Sequence, residues 1–332
     1  MAELSNQLMA VTVLAYLAAM VCYAAEYAFG NRSHIGRAAT APARQLVGAG
    51  APVPPAADVI VSPAEDVADE VVAEEPGRDR GVLLGRIGVG LNWLAFALHL
   101  GTVVTRGIAA DRMPWGNMYE FILAVTLVGS AVWLGVLTRR PVVRHLGLFA
   151  SLALVVLLGA AGLIAYTPVG PLVPALNSYW YIIHVSTIIL ASGILLIGAV
   201  PAAMFLVRSG YDQGRRSFPY TLGAKVPPAA TLERLTFRLH AFAFPLFTFG
   251  ALIAGPLWAE ASWGRYWGWD PKEVWAFISW IVYACYLHAR ATPSVKRTTA
   301  TWIALLGFAT MLMNLFGVNL FFEGLHSYAN AG

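Results

Sequence analysis

The sequence predicts an all-α protein that crosses a membrane about eight times. Its 332 residues are 58% hydrophobic and only 12% charged, whereas a soluble domain carries about 25% charged residues. Several apolar runs reach the roughly twenty residues that an α-helix needs to span a bilayer. Composition and run length together therefore indicate a polytopic membrane protein rather than a soluble enzyme.

The apolar runs place eight spans along the chain. They cover residues 7–29, 83–105, 119–138, 145–165, 183–207, 240–259, 271–290 and 299–321. The first run has no basic segment before it and is long enough to span, so we expect it to stay as a helix at 1–30 rather than be removed as a signal peptide. Residues 81–332 are expected to form the transmembrane core.

Loop charges predict the orientation of these spans. Twelve Lys and Arg residues fall in the loops of one side, against four in the loops of the other side. Because basic loops favour the cytoplasmic face, both termini and the loop around 258–275 are predicted to lie outside the cytoplasm. This topology also explains the net charge of +4, which therefore gives no indication of nucleic-acid binding.

Two cytoplasmic segments stand apart from the spans. Residues 31–80 are rich in Ala, Pro and acidic residues and contain no aromatic residue. Such a composition cannot bury enough apolar surface to fold, so this loop is predicted to be disordered. The sequence 233–240, E-R-L-T-F-R-L-H, is predicted to lie along the membrane surface as a short amphipathic helix.

The densest local pattern lies between residues 258 and 280, which hold six of the eleven tryptophans: Trp258, Trp263, Trp267, Trp269, Trp275 and Trp280. An aromatic belt at the headgroup level would account for one or two rings at each helix end. The concentration of rings, with Gly264 and Gly268 between them, favours instead a flat aromatic platform for a large planar apolar ligand.

A helix start bounds this platform. Asp270 suits the N-cap, Pro271 the first helical position, and Glu273 can complete a capping box. Both carboxylates are therefore predicted to be helix caps rather than catalytic acids or bases. Asn117 and Glu120 have the same spacing at the start of the third span.

Two histidines, His184 and His326, are predicted at the level of the platform although they are far apart in sequence. A histidine in or beside a span is a candidate functional residue and a common metal ligand. Two imidazoles beside an aromatic surface suit axial ligation of a haem iron from both sides. The alternative is that both rings only hydrogen-bond to headgroups or backbone at the interface.

The other histidines are weaker candidates. His288 follows Glu273 by fifteen residues, roughly 22 Å deeper along a helix, where it could serve an inner site or be a buried hydrogen-bonding residue. His145 and His240 lie near cytoplasmic helix ends and are expected to have helix-end or headgroup roles. His99 is a further candidate in the outer half.

Other chemistries lack their motifs in this sequence. There is no Walker-type loop, H-E-x-x-H, C-x-x-C or G-x-S-x-G, so an ATPase, a zinc protease and a serine hydrolase are not predicted. Cys22 and Cys285 lie within apolar runs, and their number and placement exclude a disulfide framework.

The run W-G-R-Y-W-G-W-D-P-K-E-V-W resembles the WWD signature of the haem-handling proteins of cytochrome c maturation. The resemblance continues in P-W-G-N-M-Y-E, S-Y-W-Y-I-I-H, Y-L-H-A-R and G-V-N-L-F-F-E-G-L-H-S-Y and covers most of residues 113–328. Within that group the chain is most similar to the CcsA/ResC family of system II cytochrome c biogenesis, called CcsB in some Gram-positive bacteria.

The resemblance implies a set of haem-binding residues. His184 and His326 match the external haem ligands of the family, and His288 matches its transmembrane histidine. The WWD segment at 258–275 matches the haem-binding segment through Trp263, Trp267, Trp269 and Asp270, to which the predicted platform adds Trp258 and Tyr266.

The resemblance also implies an activity, partners and a location. Haem b would be presented on the outer face of a bacterial plasma membrane and attached to the cysteines of a C-x-x-C-H apocytochrome c. Synthase activity would require a ResB-like membrane subunit, and a thiol-reducing membrane protein would keep the cysteines reduced. The alternative is a haem transporter or chaperone that only delivers haem to a partner. A membrane cytochrome with permanent haem would need axial pairs stacked within helices, a spacing that these histidines lack.

Overall fold

A computed structural model describes residues 1–29 and 80–326, and all regular structure in this part of the chain is helical. The loop predicted to be disordered, 31–80, lies outside the described residues except for residue 80. The α-helices are α1 (Ala2–Phe29), α2 (Arg80–Ala110), α3 (Met118–Arg139), α4 (Gly147–Ile164), α5 (Tyr179–Asp212), α6 (Ala229–Phe249), α7 (Gly255–Trp263), α8 (Pro271–Ala291), α9 (Arg297–Leu312) and α10 (Val318–Phe321).

Short irregular turns join some of these helices into longer ones. A single π-helical turn, Gly250–Ala254, connects α6 to α7, and a second one, Met313–Gly317, connects α9 to α10. Three 3₁₀ turns lie at Pro141–Leu146, Pro174–Leu176 and Tyr220–Lys225. Because a π-turn inserts an extra residue into the hydrogen-bonding pattern, it leaves local backbone groups available to side chains.

Seven helical segments in the described part of the chain are long and apolar enough to cross a membrane. They are Ala2–Phe29, Gly81–Ala110, Met118–Arg139, Pro141–Ile164, Tyr179–Asp212, Ala229–Trp263 and Arg297–Phe321. The chain is therefore a multi-pass, all-α membrane protein, as the sequence predicts.

The eighth predicted span, 271–290, forms α8, which is long enough to cross a membrane but is not among those seven segments. It packs along α9, to which a loop of a few residues joins it. Asp270, just before α8, contacts His326, just after α10. The two ends of this helical pair are thus connected, and α8 runs antiparallel to α9, whose 16 residues span about 24 Å at 1.5 Å per residue.

The sixth span begins earlier than the sequence predicts. Residues 229–263 form one continuous helical segment, so the prediction of a separate surface helix before residue 240 is wrong. Glu233 forms an ion pair with Arg290 near the end of α8. This pairing holds the start of α6 against the bundle instead of along the membrane surface.

Polar contacts join α1 to the rest of the bundle. Tyr16 donates a hydrogen bond of 2.7 Å to Ser130, and its hydroxyl lies 3.4 Å from Nδ1 of His99. Further toward the predicted cytoplasmic end, Glu26 is buried in an ion pair with Arg144. In a lipid environment such hydrogen bonds help helices to associate. These contacts give His99 and Glu26 structural roles.

The loop that precedes α3 is held by a buried carboxylate. Asn117 caps α3 as predicted, since its side chain accepts from the backbone N–H of Glu120. The Glu120 side chain forms ion pairs with Arg106 and Arg112 and accepts from the Gly116 N–H. Sequence spacing suggested only a cap here, whereas the structure shows an ionic cluster that fixes the 111–117 loop.

Candidate functional site

A large cavity opens at the end of the bundle where the 111–117 and 264–270 loops meet the last helical turn. It has a volume of about 240 Å³, slightly below the roughly 300–1,000 Å³ typical of small-molecule pockets. Its lining extends from Tyr181 to Leu196 on α5, about 22 Å along the helix. The cavity is therefore elongated along α5, and it is lined mainly by apolar and aromatic side chains.

The first π-turn positions His184 in the wall of this cavity. Nδ1 of His184 lies 2.8 Å from the carbonyl oxygen of Gly250. Since a carbonyl only accepts, Nδ1 carries the proton and Nε2 carries the lone pair. Gly255 allows this close approach, because a Cβ there would lie 3.2 Å from two atoms of the imidazole ring.

The second histidine of the pair, His326, is held by Asp270. Nδ1 of His326 donates to Oδ1 of Asp270 at 2.8 Å, and the Leu325 N–H donates to Oδ2 at 2.6 Å. Burial alone would raise the pKa of the Asp270 carboxyl, but the hydrogen bond and charge of His326 and the backbone donors hold that pKa below its ordinary value. A carboxylate in this position orients an imidazole and increases its basicity as a metal ligand.

The two histidines meet at Trp258. The His184 ring stacks on the Trp258 ring with centroids 5.5 Å apart and an angle of 12° between the planes. The His326 ring meets the same indole edge-on at 5.4 Å, and Trp263 at 5.0 Å. Trp258 itself is only 2% exposed. Residues that are 142 positions apart in the chain thus lie against one buried ring and line one cavity.

The tryptophans form a curved wall and not the flat platform predicted. The Trp258 and Trp263 planes are inclined by 59°, and the Trp267 and Trp269 planes by 88°. Trp258, Trp263, Trp267 and Tyr266 line the cavity. Trp269 is 68% exposed, has a φ of 59°, and does not line the cavity. The prediction of a flat surface is wrong. The backbone turns at Gly264, which has a φ of 68°, and again at Trp269.

Asp270 and Glu273 form the predicted capping box at the start of α8. The Glu273 carboxylate accepts from the backbone N–H groups of Gly268 and Asp270 at 2.8 and 3.1 Å. The sequence-based prediction of caps is confirmed, but Asp270 has a second role. It contacts His326 rather than the cavity itself.

The other histidines within residues 1–29 and 80–326 do not line the cavity. His288 is exposed on α8. His240 is buried, with its Nδ1 2.8 Å from the Thr236 carbonyl and its ring between Tyr283 and Tyr286. His145 lies 2.8 Å from the Lys225 carbonyl. The latter two are therefore structural residues with backbone contacts.

Several residues of the cavity wall carry no clear signal in the sequence. Tyr181 lines the cavity and donates a hydrogen bond of 2.6 Å to the Trp115 carbonyl. Asn314, in the second π-turn, also lines it and donates to the Lys272 carbonyl at 3.4 Å. A π-turn is a tertiary adjustment that periodicity does not show, so neither Asn314 nor Gly250 could be selected in advance.

The site suits a metal ion that is already coordinated by most of its ligands when it binds. Within residues 1–29 and 80–326, no group of three or more His, Cys, Asp or Glu side chains could hold a bare metal ion. Two imidazoles whose Nδ1 atoms face oxygen acceptors suit a metal whose four equatorial ligands come from a macrocycle. The aromatic wall would bury the apolar faces of such a ligand.

Comparison with known proteins identifies the family. The family model described as cytochrome C assembly protein matches residues 115–326. The chain belongs to this family. The match includes both cavity histidines and the Trp-rich segment, whereas α1 and α2 lie before it.

Curated relatives support the same family. The cytochrome c biogenesis protein CcsA of Guillardia theta is 36% identical over 265 residues, which cover 73% of this chain and 85% of the relative. CcsA of Gloeobacter violaceus is 33% identical over 304 residues, which cover 74% and 87%. CcsA of Cyanophora paradoxa is 31% identical, with 68% and 82% covered. The resemblance to the CcsA family is confirmed.

The Asp270–His326 contact gives a first testable prediction. Asp270→Asn keeps a good N-cap for α8 but replaces the charged acceptor of His326 by a neutral one. We expect haem affinity to fall roughly tenfold, at the lower end of the effect of such supporting residues, with little change in thermal stability. Haem titration and thermal unfolding of the purified variant would measure both. Unchanged haem affinity would contradict a supporting role for Asp270.

Proposed function

We propose that the protein binds haem in this outer cavity and presents it for covalent attachment to a C-x-x-C-H apocytochrome c, as one subunit of a cytochrome c synthase. The observation that carries the proposal is the convergence of His184 and His326 on Trp258 within one cavity. The names of the relatives and the family model support a role in cytochrome c maturation.

In this proposal His184 and His326 bind the iron axially. Their Nδ1 protons are directed to oxygen acceptors, so the lone pair of each ring is on Nε2. Trp258, Trp263 and Trp267 cover the porphyrin. Trp258 is already buried, whereas Trp263 and Trp267 are partly exposed, and full burial of an exposed aromatic side chain contributes about 1.5–3 kcal/mol. Trp263 and Trp267 would therefore add part of that amount each to the affinity.

The attachment step is an addition of two thiols to the two vinyl groups of haem. Each cysteine sulfur bonds to the vinyl carbon next to the ring, and the thiol hydrogen ends on the terminal carbon. The C=C double bond becomes single, and no electrons are gained or lost. The histidine of the C-x-x-C-H motif then replaces His184 or His326 on the iron, which releases the product from the cavity.

The step requires ferrous iron and reduced cysteines. In this chain Cys22 and Cys285 are free cysteines on the separate helices α1 and α8. We therefore assign thiol reduction to a separate thiol-reducing membrane protein. We also propose that the cavity faces the outer side of a bacterial plasma membrane, where the apocytochrome would be bound, and the loop charges support this orientation.

We further propose that His288 serves a second, inner haem site completed by a ResB-like subunit. Its side chain is exposed on α8, so a histidine on a partner helix could approach it within the membrane. Exposure of an imidazole toward lipid is unfavourable, which supports a protein partner at this position.

Maturation of a reporter tests the proposed function. We expect a C-x-x-C-H reporter to acquire covalent haem when the chain is co-expressed with a ResB-like protein, and not when either subunit is omitted. Haem-stained denaturing gels would measure attachment. Attachment by the chain alone would contradict the need for a partner. Haem binding without attachment, whatever ResB-like partner is supplied, would favour the alternative of a haem chaperone.

A further inference from the structure

The cavity wall contains one positively and one negatively charged side chain, and their hydrogen bonding differs. Among its described lining residues, the only Lys, Arg, Asp or Glu residues are Lys272 and Glu273. The Glu273 carboxylate is engaged by two backbone N–H groups of the capping box. The Lys272 ammonium, in contrast, forms no hydrogen bond or salt bridge within residues 1–29 and 80–326, although the charge of Asp270 acts on it.

The nearest acid is already engaged. Asp270 accepts from the backbone N–H groups of Lys272 and Leu325 and from Nδ1 of His326. It forms no salt bridge with the Lys272 side chain in the described structure. Asp270 therefore orients His326 and caps α8, and it acts on the Lys272 ammonium by its charge and not by direct contact.

The position of Lys272 is also unfavourable for helix stability. It lies in the first turn of α8, where the helix dipole is positive and favours acidic rather than basic side chains. A partly buried cation without a partner costs free energy. Neither the helix dipole nor the partial burial of this charge stabilises the protein. The ammonium is therefore suited to bind an anionic group of a ligand in the cavity.

We propose that Lys272 binds a propionate of the porphyrin and so fixes the rotation of haem about the axis between His184 and His326. This inference rests on the proposed function. Haem carries its two propionates on one edge and its two vinyl groups on the opposite edge. Pairing a propionate with Lys272 places the vinyl edge across the cavity from α8, in one defined position for both thiol additions.

The second π-turn supports this geometry. Asn314 donates to the Lys272 carbonyl at 3.4 Å, which connects the first turn of α8 to the end of α9. His326 is connected to the same turn through Asp270. The lysine is therefore a positioning residue for the ligand. It lies on the same short segment as Asp270, which supports the proposed iron ligand His326.

Removing the propionate charges tests the proposal. Haem and haem dimethyl ester would be titrated into purified wild-type protein, Lys272→Met, Lys272→Arg and Lys296→Met. We expect the wild type to bind haem roughly tenfold more tightly than the ester, as for a hydrogen bond to a charged group. Lys272→Met should bind both equally, and Lys272→Arg should restore the preference. Lys296, exposed in the loop between α8 and α9, is the matched control and should behave as the wild type.

The outcomes separate this inference from the proposed function. Equal binding of haem and ester by the wild type, or a preference that survives in Lys272→Met, would overturn the role of Lys272 while leaving haem binding in place. Failure of the wild type to bind either ligand would overturn the proposed function itself. Without ligand, Lys272→Met should unfold at the same or a higher temperature, and a lower unfolding temperature would show that the lysine is structural.

Discussion

His184→Ala and His326→Ala are each expected to remove the six-coordinate, low-spin absorption spectrum of the haem-bound protein. Each substitution deletes one proposed axial ligand while the other histidine and the aromatic wall remain. Loss of an iron ligand should reduce haem affinity by more than the 10–100-fold that follows loss of a supporting residue. Absorption spectra and haem titration of the purified variants would measure both effects.

The matched control for these two variants is His34→Ala. It makes the same chemical change in the 31–80 loop, outside the predicted spans, and should leave spectrum and affinity unchanged. External imidazole should partly restore the low-spin spectrum of His184→Ala and His326→Ala, since it can occupy the missing ligand position. A normal spectrum in both alanine variants without imidazole would contradict the assignment of His184 and His326 as axial iron ligands.

Trp258→Ala is expected to be the most damaging change among the tryptophans that line the cavity. This ring is 2% exposed and contacts both His184 and His326. Truncation of a buried aromatic residue costs about 3–5 kcal/mol, and here it also removes the surface that both imidazoles pack against. We expect lower thermal stability and loss of bound haem, measured by unfolding and by haem content after purification.

Trp269→Ala is the matched comparison, because it is the same substitution within the same segment. Trp269 is 68% exposed and does not line the cavity, and exposed substitutions usually change stability by less than about 0.5 kcal/mol. Haem content should stay close to that of the wild type. An equal loss of haem in the two variants would contradict the division of the segment into cavity-lining and exposed rings.

Local sequence signals predicted a large part of this structure. Apolar run length located the eight helical segments, because burial in lipid requires each one to satisfy its own backbone hydrogen bonds. The capping box at Asp270 and the N-cap at Asn117 depend on contacts within a few residues, and both are present. The shared level of His184 and His326 followed from the alternation of spans and loops.

The parts that sequence did not predict depend on tertiary contacts. Periodicity could not show that the chain bulges at Gly250, which makes a carbonyl available to His184. It could not show that Glu120 lies between two arginines, or that Glu233 is held against α8. The tryptophan count suggested a single flat surface, whereas backbone turns at Gly264 and Trp269 separate the rings into a cavity wall and an exposed edge.

The central claim is that one haem iron is held between His184 and His326. The most direct measurement is a titration of purified wild-type protein with haem, followed by absorption and electron paramagnetic resonance. We expect one haem per chain in the outer cavity, with the low-spin signal of two imidazole ligands. A five-coordinate, high-spin signal at saturation, or two haems each bound by one histidine, would contradict it.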